Sequence, residues 1–157
     1  DSPCAARLRA CAPMSRVRNA LSRGAYAITG GLGGLGLRAA TLLAEGGASH
    51  MLLASRSGSV VRGGQGLEAR LRSVSAAAAV VACDSAEMSD ITSHLGIAST
   101  AGVLYSLGVS DTGKLVDLEA QRLEWMCGPK ASGAWYLHCS TSTTPLETQV
   151  LFSSVGS

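Results

Sequence analysis

Charged residues are scarce in this sequence: Asp, Glu, Lys and Arg make up 15% of its 157 residues, against a usual share of about 25%. The formal net charge of +2 is too small to argue for a nucleic-acid or membrane-surface partner. No apolar run approaches the roughly 18 residues that a membrane span needs. The five cysteines, Cys4, Cys11, Cys83, Cys127 and Cys139, are odd in number and show no CxxC spacing, which argues against a disulfide framework or a zinc site. They read as free thiols in a reducing compartment, and the expected location is cytoplasmic, with an organelle left open. The sequence starts at Asp1 rather than Met and stops just after the apolar run Val150-Leu151-Phe152, so it reads as a segment of a longer polypeptide.

What is abundant is apolar, at 46% of residues, enough for one domain with a sizeable core. Residues 1–24 stand apart: Arg7, Arg9, Arg16, Arg18 and Arg23 lie there with Asp1 as the only acid. This stretch is expected to be an inter-domain linker or the tail of a preceding domain, and 25–157 the domain itself. Five short apolar runs follow, at 25–29, 50–55, 79–83, 102–106 and 149–153. They are apolar nearly throughout and do not alternate, the pattern of parallel strands covered on both faces. Helical spacing recurs between them, in 35–43, 67–74, 88–95 and 118–126, and Pro129 is expected to start a further helix to about Cys139. Strand and helix in alternation predict an α/β fold, a Rossmann-like, doubly wound parallel sheet that is incomplete on its C-terminal side.

The strongest motif is Thr29-Gly30-Gly31-Leu32-Gly33-Gly34-Leu35-Gly36. It follows the first strand and opens the first helix, the context in which a GxGxxG pattern carries weight. Glycines there permit tight turns and let the backbone approach a pyrophosphate, and the helix N-terminus adds N–H groups and a partial positive charge. About 20 residues on, NAD sites carry an acid for the ribose 2′-hydroxyl. This sequence has Ser55-Arg56-Ser57 instead. An arginine suits a 2′-phosphate, so NADPH is the expected cofactor. Cys83-Asp84 closes the third strand, where a carboxylate can accept from an adenine amino group or cap the next helix. His50, His94 and His138 are scattered over different elements and read as packed or exposed rather than as ligands. Trp125 and Trp135 read as core.

The segments AYAITGGLGGLGL, LLASRSG, VVACD, GVSDTGKL, CGPKASGAWYLH and VLFSSV, in that order, resemble the ketoreductase domains of modular polyketide synthases and related fatty acid synthases, members of the short-chain dehydrogenase/reductase superfamily. The resemblance covers residues 25–156. It implies NADPH-dependent reduction of a β-ketoacyl thioester carried on an acyl carrier protein, with neighbouring synthase domains as the other partners. It assigns Lys130 and Ser154 to the active site, 24 residues apart, and places a Tyr and an Asn of a YxxxN segment further on than Ser157. In that scheme the serine hydroxyl bonds the substrate carbonyl, the tyrosine is the acid, and the lysine lowers the tyrosine pKa and relays the proton. The resemblance also places Ser106 and Gly108 along the cofactor path. The sequence departs from the family there, with Tyr105-Ser106-Leu107-Gly108 in place of HAAG, and Ser110-Asp111-Thr112 in place of LDD, whose last Asp is informative about product stereochemistry. By itself, the segment is expected to be inactive. Two other readings remain: a redox-silent structural module of a synthase, marked by loss of the glycine loop, and a free-standing dehydrogenase for a small alcohol, in which the lysine would follow the tyrosine.

Overall fold

The computed structural model describes residues 24–61, 63, 65–95, 100–109 and 114–153. The expected linker lies almost wholly outside these residues, as do Ser154 and the 110–112 triplet.

Five strands form one parallel sheet: β1 (Ala25–Thr29), β2 (His50–Ser55), β3 (Ala78–Ala82), β4 (Thr100–Tyr105) and β5 (Thr148–Leu151). Their order across the sheet is β3-β2-β1-β4-β5, and every pairing is parallel. Five helices fill the crossovers: α1 (Gly34–Glu45), α2 (Leu67–Val74), α3 (Met88–Leu95), α4 (Ala120–Cys127) and α5 (Gly133–Thr141). Alternate residues of a strand face opposite sides, and β1 shows the result. Tyr26 and Ile28 join Leu37 and Ala40 of α1 and Leu67 and Val74 of α2 in one cluster. Ala27 packs on the other face with Ile91 and Leu95 of α3 and Leu137 of α5. The two clusters are the two layers of a doubly wound sheet, as the sequence predicts.

Burial on both faces holds for the central strands, with every residue of β4 buried. It fails for β3 and β5, which have no fully buried residue and expose about half of their positions. Each pairs with a single neighbour among the described residues, so its outer side lacks cover. Pro129 does not start a new helix. The chain runs from α4 into α5 through one π turn, Gly128–Ser132. Trp125 and Trp135 are not core residues either: they are 46% and 63% exposed, because α4 buries none of its residues and Trp135 sits on the outer side of α5, its ring 5.7 Å from that of His138.

Candidate functional site

In a parallel sheet all strands end on the same edge. Here the chain leaves β1 toward β2 on one side while β4 lies on the other, the switch point at which such sheets open a crevice. A cleft of about 1490 Å³ lies there, lined among others by Gly30, Ser55, Arg56, Ser106, Lys130 and Phe152.

The glycine loop forms its floor. Gly31 N–H donates to Ala54 O at 3.0 Å, and Gly33 N–H to Gly30 O at 2.9 Å, which fixes the turn against the end of β2. Gly30 takes a φ of 66°, a region glycine enters freely. At Gly36 a Cβ would run into the carbonyl of Gly30 and the Cα of Gly31, so only glycine lets α1 close on the loop. Gly31 and Gly36 therefore shape the loop from beneath, whereas Gly30, Leu32, Gly33, Gly34 and Leu35 line the cleft. The N-cap of α1 is Gly33, with no side-chain cap and no acid in the first turn. The N–H groups of that turn have no intrahelical acceptors, and no side chain caps them.

Thr29 is buried, its Oγ1 without a hydrogen-bond partner among the described residues. Its carbonyl accepts from Ser106 N–H at 3.1 Å and Ser106 Oγ at 2.7 Å, tying the end of β1 to the loop after β4. Ser106 and Gly108 both line the cleft. Leu107, the larger residue in that loop, packs partly against the second core cluster and takes only a share of the cleft wall.

Ser55 and Arg56 lie at the end of β2. Ser55 Oγ accepts from Gly58 N–H at 3.1 Å, shaping the turn that presents exposed Arg56 to the cleft. Cys83 and Asp84 end β3 outside the lining. Asp84 Oδ1 accepts from Ala86 N–H at 3.0 Å, and Asp90 Oδ2 accepts from Asp84 N–H at 2.8 Å. Asp84 thus closes a turn ahead of α3, which begins at Met88, and does not cap that helix itself. Burial, then the charges of Asp90 and Asp84, push the Cys83 thiol up to about 11.

The opposite wall comes from the π turn and from the chain leaving β5. Met126, Lys130 and Ala134, four apart, line the cleft with Leu151, Phe152 and Ser153. Lys130 and the end of β5 thus meet the same cleft, and Ser154 follows next in the chain. The sequence reading gave no role to Tyr105, Lys114 or Ser153, which also line it. Lys114 stood in the quoted GVSDTGKL segment, and Tyr105 stood out only as a departure from HAAG. The described lining includes three cations, Arg56, Lys114 and Lys130, and no carboxylate. Such a groove suits an extended, multiply anionic ligand. The lining also has an apolar share, with Val109, Leu118, Met126, Leu151 and Phe152 among its residues.

A family model described as the KR domain matches residues 24–157. Polyketide synthase GfsA of Streptomyces halstedii is 40% identical over 139 residues, which cover 85% of this chain and 2% of that protein. Erythronolide synthase EryA2 of Saccharopolyspora erythraea is 36% identical over 137 residues, 85% of this chain and 4% of its own length. A solved A1-type ketoreductase superposes with a TM-score of 0.74 at 33% identity, covering 92% of this chain and 32% of its own. The chain thus spans a small fraction of these synthases and about a third of the solved domain.

Proposed function

The chain belongs to the KR domain family, and from that premise we propose that it forms the cofactor-binding part of an NADPH-dependent ketoreductase acting on a β-ketoacyl chain held by an acyl carrier protein within a polyketide synthase. The observation that carries this is the cleft. Its floor is a glycine loop opening a helix, its β2 side offers Arg56, and its far wall offers Lys130 beside the end of β5. The residues fit a nicotinamide dinucleotide on two counts: a side chain at Gly36 would close the loop against its own backbone, and no acid among the described residues faces the groove.

When bound, the cofactor supplies a hydride. The chain's own residues supply the setting. The first-turn N–H groups of α1 hold the pyrophosphate. Arg56 pairs with the 2′-phosphate through charge-assisted hydrogen bonds. Ser106 keeps the β4 loop close to the glycine loop, which shapes the space between them. Lys130 places a positive charge where the substrate carbonyl gains electron density, and Ser154 donates its hydroxyl to that oxygen. The apolar residues of the lining accept the acyl chain and exclude water.

In the full-length protein containing this chain, NADPH consumption with a β-ketoacyl thioester should be readily measured. Lys130→Ala should lower kcat by about 10²-fold or more, with the melting temperature nearly unchanged because the side chain is exposed. A protein that neither binds NADPH nor consumes it with the thioester would overturn the proposal in favour of a redox-silent module. Undiminished turnover in Lys130→Ala would overturn the assignment of that residue.

A further inference from the structure

We propose that Tyr105 is a positioning residue for Lys130, its hydroxyl pinning the π turn that carries the lysine into the cleft. The inference rests on the reductase reading of the cleft and adds to it a residue that no sequence motif singles out.

Tyr105 is the last residue of β4 and is buried. Its hydroxyl donates to the carbonyl oxygen of Pro129, 24 residues on. Pro129 is itself buried and immediately precedes Lys130, which is exposed. The backbone between α4 and α5 explains why that carbonyl is available. In an α-helix the Pro129 oxygen would accept from the N–H of Gly133, four residues later. Here Gly133 N–H donates to Gly128 O, five residues back. The phenol takes the oxygen that the π turn sets free. A π turn inside a longer helical run is uncommon and recurs at functional sites.

Gly133 completes the arrangement. A Cβ at that position would collide with the Tyr105 hydroxyl and with the carbonyl of Ser85. Gly133 thus leaves the room that the Tyr105 hydroxyl occupies beside the π turn. Burial, then the nearby Cys83 and Asp84, raise the Tyr105 pKa beyond its ordinary value, so the phenol remains a donor at any physiological pH. The sheet and the lysine turn are thus tied at one point, the residue just before Lys130. Without that tie, Lys130 would hang from an irregular turn whose exposed neighbours, Cys127 and Ala131, do nothing to anchor it.

The test uses the full-length protein, NADPH and a β-ketoacyl thioester. Tyr105→Phe keeps the ring and removes the donor. It should lower kcat by about 10- to 100-fold, the scale of a small misplacement of a reacting group, while the KM values for NADPH and thioester stay within about twofold. Adding Tyr105→Phe to Lys130→Ala should slow turnover no further, because one acts through the other. Hydrogen exchange across 128–133 should be faster in Tyr105→Phe. If Tyr105→Phe does not fold, Gly133→Ala, which displaces the hydroxyl from the other side, should give the same loss of kcat and the same faster exchange. Equal, additive losses from the two substitutions, or unchanged exchange across 128–133, would overturn the inference while leaving the reductase reading intact. Full turnover in Lys130→Ala would overturn the inference and the role of Lys130, while the reductase reading would stand; a protein that neither binds nor consumes NADPH would overturn that reading.

Discussion

Arg56 stands directly after β2 and faces the cleft from an exposed turn. An exposed guanidinium reaches a phosphate at little desolvation cost, and a charge-assisted hydrogen bond is worth roughly 1.5–3 kcal/mol. Arg56→Ala should therefore weaken NADPH binding by about 10- to 100-fold and leave NADH binding nearly unchanged, as read by titrating the full-length protein with each cofactor. Equal affinity of the unaltered protein for both would refute the role. Cys83 makes a different prediction. Its thiol ionises near 9 in the ordinary case and is pushed up to about 11 here, first by burial. The folded state thus disfavours the thiolate, so this stabilisation is complete below pH 9 and is lost as pH rises toward 11. Each pH unit in that window removes at most about 1.4 kcal/mol. Above pH 10 Tyr105 adds to the loss in the same direction, so the window for Cys83 alone is 9 to 10. Urea midpoints should fall across it, and Cys83→Ala should flatten the slope. Identical slopes would show that the thiol does not titrate as argued.

The first helix separates two kinds of glycine. A methyl at Gly36 meets the backbone of Gly30 and Gly31, whereas one at Gly34 meets nothing within 4 Å. Overpacking against backbone costs about 1–3 kcal/mol or more, so Gly36→Ala should lower the unfolding free energy by at least that and abolish cofactor binding. Gly34→Ala gains up to about 1 kcal/mol of helix propensity yet puts its methyl into the cleft. It should hold or raise the melting temperature while weakening NADPH. If the two substitutions behave alike, the loop is not built as described. What the sequence revealed at this scale follows the same division. The glycine loop, α2 and α3 were legible because residue type and spacing within a few positions decide them. The π turn was not, since its freed carbonyl is claimed by Tyr105 from another strand. Nor was the exposure of Trp125 and Trp135, because residue type says core while α4 packs nothing beneath it. Asp84 kept two readings for a related reason: a carboxylate at a strand end looks alike whether it meets a ligand or Ala86 N–H. Lys130 drew attention only through the segments around it, since a lone lysine on a helix is ordinary.

At the scale of the whole molecule, the sheet and the site are uneven in the same place. The β3, β2, β1 side carries α1 and α2 and most of the large cluster. The far side ends in β5, whose Leu151 is 52% exposed, followed by Phe152 at 39%. α4 has no buried residue, and Trp125 and Trp135 stand open nearby in the chain. An edge strand with apolar residues on view offers unpaired backbone to another copy. The chemistry is uneven as well. Of the three tyrosines, Tyr26 is buried in the core, Tyr105 is committed to Pro129, and Tyr136 is half-buried on α5. None is placed to give a proton to a carbonyl beside Ser153, and absence of a general acid costs about 10²- to 10⁴-fold. Residues 1–157 expressed alone should therefore migrate as oligomers in size-exclusion chromatography, bind an apolar dye, and show no NADPH oxidation with a β-ketoacyl thioester. Replacing Leu151 and Phe152 by threonine should shift the population toward monomer without restoring turnover. A monomeric, active 157-residue chain would mean that the proton comes from within these residues and that the exposed β5 edge is tolerated as it stands.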